Sequence, residues 1–449
     1  MTARPASALL AFAIAWTLFA FAGAPRWTLV PTVIAVGVAA VLMRPRIFRP
    51  GWRWLDAMLL LTVACGAVQL VPLPPPWRAW VSPKAPIIEA ALFFDQGEPI
   101  NRPLSLDPAA TAETLALAGV WVIAFWTARD ALARGGVRSI VRTVCWTGLV
   151  ASILAIVVHP AAPELIYGIW RPGGGTKPFG PFVNRNHMGS WLLLALPLTV
   201  GYLAARIGRR ASTAGALDAR TLWTGGAACA MFAALVVSLS RSAAVGAGAA
   251  LVCAAAIAID RHGRRSRGWI FLAAALGFTI VASMPVSSQL LERFDRSQRD
   301  SIGRLQIWRE TLPIVRDFSA TGVGLGAFRM AMIVYQKSDR AIFFNDAHDE
   351  YLQLAAEGGV LVGLPLLLAA LALGSSILGR LRTDQSTGFW IRAGAVASLT
   401  GLLVQSIWET GLTMPANDVL FAIVCAIAVH GHREHGTGGL SGRVERDGR

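Results

Sequence analysis

Charge is scarce in this chain, and so are residues that cross-link it. Charged residues make up 15% of its 449 positions, where a soluble domain carries about 25%. That shortfall excludes an ordinary domain surrounded by water. Acids are scarcer than bases: 26 Asp and Glu stand against 41 Lys and Arg, for a net charge of +15. The surplus does not mark a nucleic-acid binder, because the Arg residues cluster beside apolar runs and form no basic module of their own. There are five Cys, namely Cys65, Cys145, Cys229, Cys253 and Cys425, and each falls inside an apolar run. Neither a disulfide framework nor a Cys-ligated metal site is therefore expected. No small-residue cleavage site follows the first apolar run, so that run is read as a retained helix and not as a removed signal peptide.

What is abundant is apolar length. Hydrophobic residues reach 55%, in runs of roughly 17–25 residues, enough for a helix to cross a bilayer. The runs are continuous and lack the dyad alternation of a barrel. The expected fold is all-α, a polytopic membrane protein of about twelve transmembrane helices. They begin near Ala6, Thr28, Leu55, Thr111, Ser139, His187, Leu222, Ala243, Gly268, Gly358, Phe389 and Leu412. Arg fills every second interval: Arg44, Arg46, Arg49 and Arg53; Arg129, Arg134 and Arg138; Arg206, Arg209, Arg210 and Arg220; Arg261, Arg264, Arg265 and Arg267; Arg380 and Arg382. By the positive-inside rule these intervals and both termini face the cytoplasm. Residues 1–429 then form the membrane domain, and 430–449 a polar, Gly-rich, disordered cytoplasmic tail.

The opposite, periplasmic face gathers the unusual polar residues. It holds the intervals Pro72–Asp107 and His159–Arg185, a tight turn at Ser240-Arg241-Ser242, and a long polar segment of about 287–347 before the tenth span. Loops beyond about 15 residues are uncommon unless functional or disordered. This one has the Trp, Phe, Tyr and Leu needed to pack.

Each polar motif there has a plain reading and a chemical one. Arg241 stands at the membrane boundary, either snorkelling or clamping phosphate oxygens bidentately. Asn184 or Asn186 can cap the sixth span. The same helix end favours an anion, which Arg185 and His187 could contact as a pyrophosphate or sugar. Arg304 and Trp308 lie four apart on an amphipathic helix with Leu305, Ile307, Leu312 and Ile314. That helix could lie on the membrane surface, or it could offer Arg to phosphate and Trp to sugar. Gly322-Val-Gly-Leu-Gly326 reads as a tight turn and not a phosphate loop, since no strand–loop–helix context surrounds it. His348 stands among Asp346, Asp349 and Glu350, where it suits general-base work. A divalent metal on Asp346, His348 and Asp349 is the lesser reading, and no metal or other cofactor is expected.

Four stretches together resemble the O-antigen ligase and O-antigen polymerase superfamily of bacterial inner-membrane proteins. They are Phe182-Val-Asn-Arg-Asn-His187, Ser240-Arg241-Ser242, Arg304 with Trp308 and Gly322–Gly326, and His348 followed by Gly359. Gln69-Leu-Val-Pro-Leu-Pro74 and Pro103-Leu-Ser-Leu-Asp-Pro108 resemble it too, and the core of the likeness spans about 139–378. Asp349 departs from the pattern, where Asn is common. The resemblance implies a metal-independent glycosyltransferase at the periplasmic face of the inner membrane. An undecaprenyl-pyrophosphate-linked glycan is the implied donor, and lipid A–core or a second glycan the acceptor. It makes Arg241, Arg304 and His348 catalytic; Arg185, Asn186, His187, Trp308 and Asp349 are the residues expected to bind substrate. Ligase and polymerase share this chemistry. A transporter or lipid flippase is the alternative of another class; it would show internal repeats and charges near the bilayer midplane.

Overall fold

The computed structural model describes residues 3–93, 101–173, 176–211, 218–262, 289–338, 343–386 and 388–431. The expected ninth span near Gly268, the start of the long polar segment and the tail beyond Gly431 lie outside them. Among the described residues the fold is all-helical, with no strand. In chain order the helices are α1 (Ala3–Phe19), α2 (Leu29–Met43), α3 (Arg53–Val68), α4 (Pro75–Val81), α5 (Ala85–Phe93), α6 (Pro108–Ala131), α7 (Val137–Val158), α8 (Arg185–Ala211), α9 (Ala219–Val237) and α10 (Arg241–His262). There follow α11 (Gln289–Asp317), α12 (Phe328–Tyr335), α13 (Glu350–Thr383), α14 (Phe389–Gln405) and α15 (Pro415–Val429).

Among the described residues, length and composition make 6 helical stretches apt to cross a membrane. The longest, Pro108–Val158, is divided into α6 and α7 at Gly135, whose φ of +113° no helix holds. Three shorter apolar helices, α1, α14 and α15, join them. The boundaries follow local chemistry. Asp107 and Asp218 accept backbone N–H bonds at the starts of α6 and α9, as N-caps do. Arg44 ends α2 in the left-handed conformation.

The main core joins α1, α2, α6, α7, α8, α14 and α15. In its middle Ser398 of α14 donates to the Leu194 carbonyl of α8. One expected anchor is not a solvated charge at all. Arg129 is buried and donates to both oxygens of buried Asp56, with the Trp126 indole N–H on the same carboxylate. A charge this deep needs a partner, and Asp56 supplies it.

The described part of the long polar segment is largely helix. It opens as α11, which keeps Arg304 and Trp308 on one half-buried face with Ile307, Thr311 and Ile314. Leu305 and Leu312, expected on that face, are exposed. They fall on the other side because the 3.6-residue period carries them about 100° per step from the buried stripe. Ile314, Phe318, Phe328, Ala331 and Met332 pack with Leu106, Ala347 and Ala356 in a second, separate core. Each large side chain buried this way out of water contributes roughly 1.5–3 kcal/mol.

Hydrogen bonds fasten this unit to α13. The Gly322–Gly326 turn puts three glycines at positive φ, and its amides are taken. Val323 and Gly324 N–H donate to the Ala356 and Glu357 carbonyls, and Gly326 N–H to the Glu357 carboxylate. Buried Gln69 threads the same knot: its amide donates to the Thr321 and Glu357 carbonyls and accepts from Leu325 N–H. The turn is therefore structural, and its N–H groups are not free for a phosphate. Leu106 N–H donates to the Val323 carbonyl, which explains why both upstream Pro-flanked motifs sit here.

Candidate functional site

Five helix ends meet at one end of the bundle. They are the starts of α8, α10, α13 and α15 and the end of α14. The connection between α14 and α15 carries Glu409, which is completely buried. Its Oε1 lies 3.4 Å from His348 Nδ1 and 3.6 Å from His187 Nε2. Its Oε2 accepts from Asn186 Nδ2 at 2.5 Å and faces Arg304 Nη2 at 3.4 Å. One carboxylate thus gathers four side chains from three separate stretches of sequence.

The surrounding backbone holds Glu409 in place. Glu350 N–H donates to the Ser406 carbonyl, and Asn417 Nδ2 donates to the His187 and Gly411 carbonyls. Gln405 Nε2 donates to the Asn186 carbonyl. Among the described residues, buried His187 Nδ1, Gln405 Oε1, Ser406 Oγ and Asn417 Oδ1 lack a hydrogen-bond partner. Native interiors keep few such atoms, and each calls for an explanation such as a functional role.

Burial works to raise the pKa of Glu409. The bonds and charges of His187 and His348 outweigh it and hold the carboxyl well below the usual range. For His348 the hydrogen bond to Glu409 leads over the opposing effect of burial, and the imidazole binds its proton more tightly than usual. An ionised Glu409 has no proton to share, so the hydrogen of a neutral His348 belongs on Nδ1. Nε2 then keeps its lone pair. This is the base-plus-orienting-acid arrangement that recurs in unrelated enzymes. His348 also holds a φ of +50°, a conformation costing a non-glycine residue roughly 1–2 kcal/mol. Such strain tends to collect at functional sites.

The other expected residues fall nearby in different settings. Trp308 donates its indole N–H to the Ala347 carbonyl at 3.0 Å, which ties the strand of chain before His348 to α11. Asp349 accepts from Tyr351 and Leu352 N–H and caps α13, so its carboxylate is committed to the helix start. Arg185 opens α8 half-buried, and Arg241 opens α10 exposed. The Ser240–Ser242 turn meets α14 through Ser242 and Gln405, 3.5 Å apart. Among the described residues, no three of His, Cys, Asp and Glu gather as a metal site.

Glu409 was not singled out by sequence reasoning. It sits in Ser406-Ile-Trp-Glu409-Thr-Gly, between two apolar runs, where it reads as one more interhelical acid. Its one signal is scarcity: acids are few, and this one interrupts two runs on the face that also carries His348.

Residues 226–368 match the family model described as O-antigen ligase. The chain carries an O-antigen ligase domain. Members of this family are membrane-integral, glycosyltransferase-like enzymes working on lipid-linked glycans. The matched stretch takes in Arg241, Arg304, Trp308, His348 and Asp349, and it stops short of Arg185–His187 and Glu409. Comparison with curated proteins finds no match.

Proposed function

We propose that this chain is a glycan transferase of the O-antigen ligase type in the bacterial inner membrane. In this reading about twelve helices span the bilayer, both termini are cytoplasmic, and the Glu409 cluster faces the periplasm. The donor is a glycan on undecaprenyl pyrophosphate, and the acceptor is a hydroxyl of lipid A–core. The observation that carries the proposal is Glu409 holding His348 and Arg304 within 3.4 Å at one end of the bundle.

The step balances as follows. The acceptor O–H gives its proton to His348 Nε2 as its oxygen bonds to the anomeric carbon. The bond from that carbon to the pyrophosphate oxygen breaks, and the electron pair leaves with the pyrophosphate. Arg304 uses one N–H on Glu409 and keeps others for the leaving anion; Arg241 meets it from the start of α10. Charge developing on a leaving group is where fixed cations help most. Glu409 stabilises the imidazolium that the proton transfer creates, and Asn186 and His187 hold Glu409. Arg185 extends the anion-binding surface at the α8 N-terminus. Trp308 fixes the approach to His348 through Ala347. Gathering of the polar residues at one end favours an enzyme over a transporter, whose charges collect near the midplane.

Deleting the gene and comparing extracted surface glycans tests this directly. Lipid A–core without polymer, and polymer retained on its lipid carrier, is the expected pattern. Single repeat units without long polymer would assign a polymerase instead. An unchanged pattern would overturn the proposal. His348→Ala or Arg241→Ala is expected to abolish transfer while the protein still inserts; normal surface glycan at matched protein levels would refute their roles. The reaction as written needs no metal, so EDTA is expected to leave the rate intact. Loss restored by Mg²⁺ would contradict that.

A further inference from the structure

A second polar pocket lies away from Glu409, toward the other end of the bundle. Helix α8 starts beside Glu409 at Arg185, so Tyr202 stands roughly 25 Å further along its axis at 1.5 Å per residue. There α7, α8 and α9 line a partly open cavity of about 170 Å³, with Arg142, Trp146, Leu149, Tyr202, Arg220 and Trp223 on its walls.

Charge in this pocket has one sign. Arg142 donates its Nε to the Arg138 carbonyl, and neither Arg142 nor Arg220 has a carboxylate partner among the described residues. The acid nearest in sequence, Asp218, is taken: it accepts from Arg206 Nη2 at 2.8 Å and from Thr221 Oγ1 at 2.6 Å. Two guanidiniums therefore line one cavity without a counter-charge among the described residues. Arg is the side chain best matched to phosphate oxygens.

The wall is aromatic. The Trp146 and Trp223 rings lie 5.7 Å apart across α7 and α9, and they are 52% and 58% exposed. Trp223 stands in the second turn of α9, where an exposed indole belongs at headgroup level, and Trp146, midway along α7, packs against it. Leu149, Cys145 and Ala227 continue the lining as an apolar floor.

Size narrows the ligand. The cavity would hold on the order of ten waters. That suits a phosphate with a short polyol arm. A zwitterionic headgroup would set an ammonium beside two guanidiniums. An anionic one brings only the negative charge that the pocket lacks. Basic pockets between membrane helices take such headgroups.

We propose that this cavity binds the headgroup of an anionic glycerophospholipid. Arg142 and Arg220 hold its phosphate, and Trp146 and Trp223 cover its glycerol and first acyl carbons. The lipid would bridge α7 to α9. This inference does not depend on the function proposed for the Glu409 site.

The test uses the full-length protein in detergent, with lipid binding read by native mass spectrometry and by thermal melting. Three probes are compared: phosphatidylglycerol, phosphatidylcholine and inorganic phosphate alone. Phosphatidylglycerol is expected to stay bound and raise the melting midpoint, at least tenfold more tightly than phosphatidylcholine. Arg142→Gln with Arg220→Gln is expected to weaken it tenfold or more, and each single variant by part of that. Should the double variant melt early without lipid, Arg220→Gln alone, at an exposed first-turn position, carries the comparison. Equal binding of the two lipids would overturn the proposal, as would wild-type affinity in the arginine variants. Inorganic phosphate binding as tightly as phosphatidylglycerol would assign the pocket to a soluble phosphate and overturn the lipid.

Discussion

Glu409→Gln is expected to lower glycan transfer roughly 10²-fold or more, the scale of a lost general base, while the protein inserts and accumulates normally. Gln keeps the shape of Glu409 and can still meet Asn186. It cannot carry the charge that stabilises an imidazolium on His348. A pH profile separates this from general damage. Transfer requires His348 without its proton at rest, and Glu409 raises the pKa of that group. The acid limb of the wild-type profile should therefore lie above about pH 6.5, the ordinary His value. In Glu409→Gln it should move to lower pH. An unshifted limb, or a wild-type rate, would show that Glu409 does not act on His348.

Stability should follow the same pair with opposite signs at its two members. Glu409 is held below its ordinary range, so its contribution is present above about pH 4.3 and fades as pH falls through its folded value. His348 is raised, so its contribution is full below about pH 6.5 and fades as pH rises through its folded value. The interaction is strongest between those limits.

Gly359→Val and Gly322→Ala are each expected to leave little folded protein. Gly359 interrupts α13 with φ +54° and ψ −158°, a backbone region essentially open to glycine alone, where another residue costs roughly 1–3 kcal/mol. It also faces Gly322 back to back. A Cβ on Gly359 would stand 2.5 Å from Gly322 N, and one on Gly322 would overlap the Glu357 carbonyl. Both obstacles are backbone and cannot swing aside. Strain and overpacking together come to about 2–6 kcal/mol, which reaches the top of what single substitutions do. The same backbone bonds carry Glu357, Gln69 and the second core, so the loss spreads through the unit that holds α11 and His348. Gly363, in the same helix, has nothing within 4 Å of an added Cβ. Gly363→Ala should fold as wild type, and size-exclusion profiles of the three variants in detergent would show the contrast. Normal folding of Gly359→Val would refute the account of the break.

Much of the architecture was legible because a bilayer simplifies the reading. Apolar runs long enough to span must become helices, and the runs starting near Ala6, Thr28, Thr111, Ser139, His187, Leu222 and Ala243 coincide with helices. Arg241, Arg304 and His348 stood out because charge is costly beside apolar runs. The long segment's aromatic residues announced that it packs, and its second core bears that out over the described part.

By itself, then, the sequence determined an all-helical chain apt for a membrane, its polar residues gathered at helix ends, and the resemblance that the O-antigen ligase domain match supports. Tertiary structure decided which of those residues meet. Glu409 joins Asn186, His348 and Arg304 across 61 to 223 residues of chain, and no local period encodes a contact between helix ends. The same holds for Gln69, 252 and 288 residues from the carbonyls it binds. Tertiary structure also sorted the arginines, turning Arg129 inward onto Asp56 and leaving Arg142 and Arg220 on a shared cavity. Hydropathy reads the cost of placing a side chain in lipid; it is blind to the partner that removes that cost.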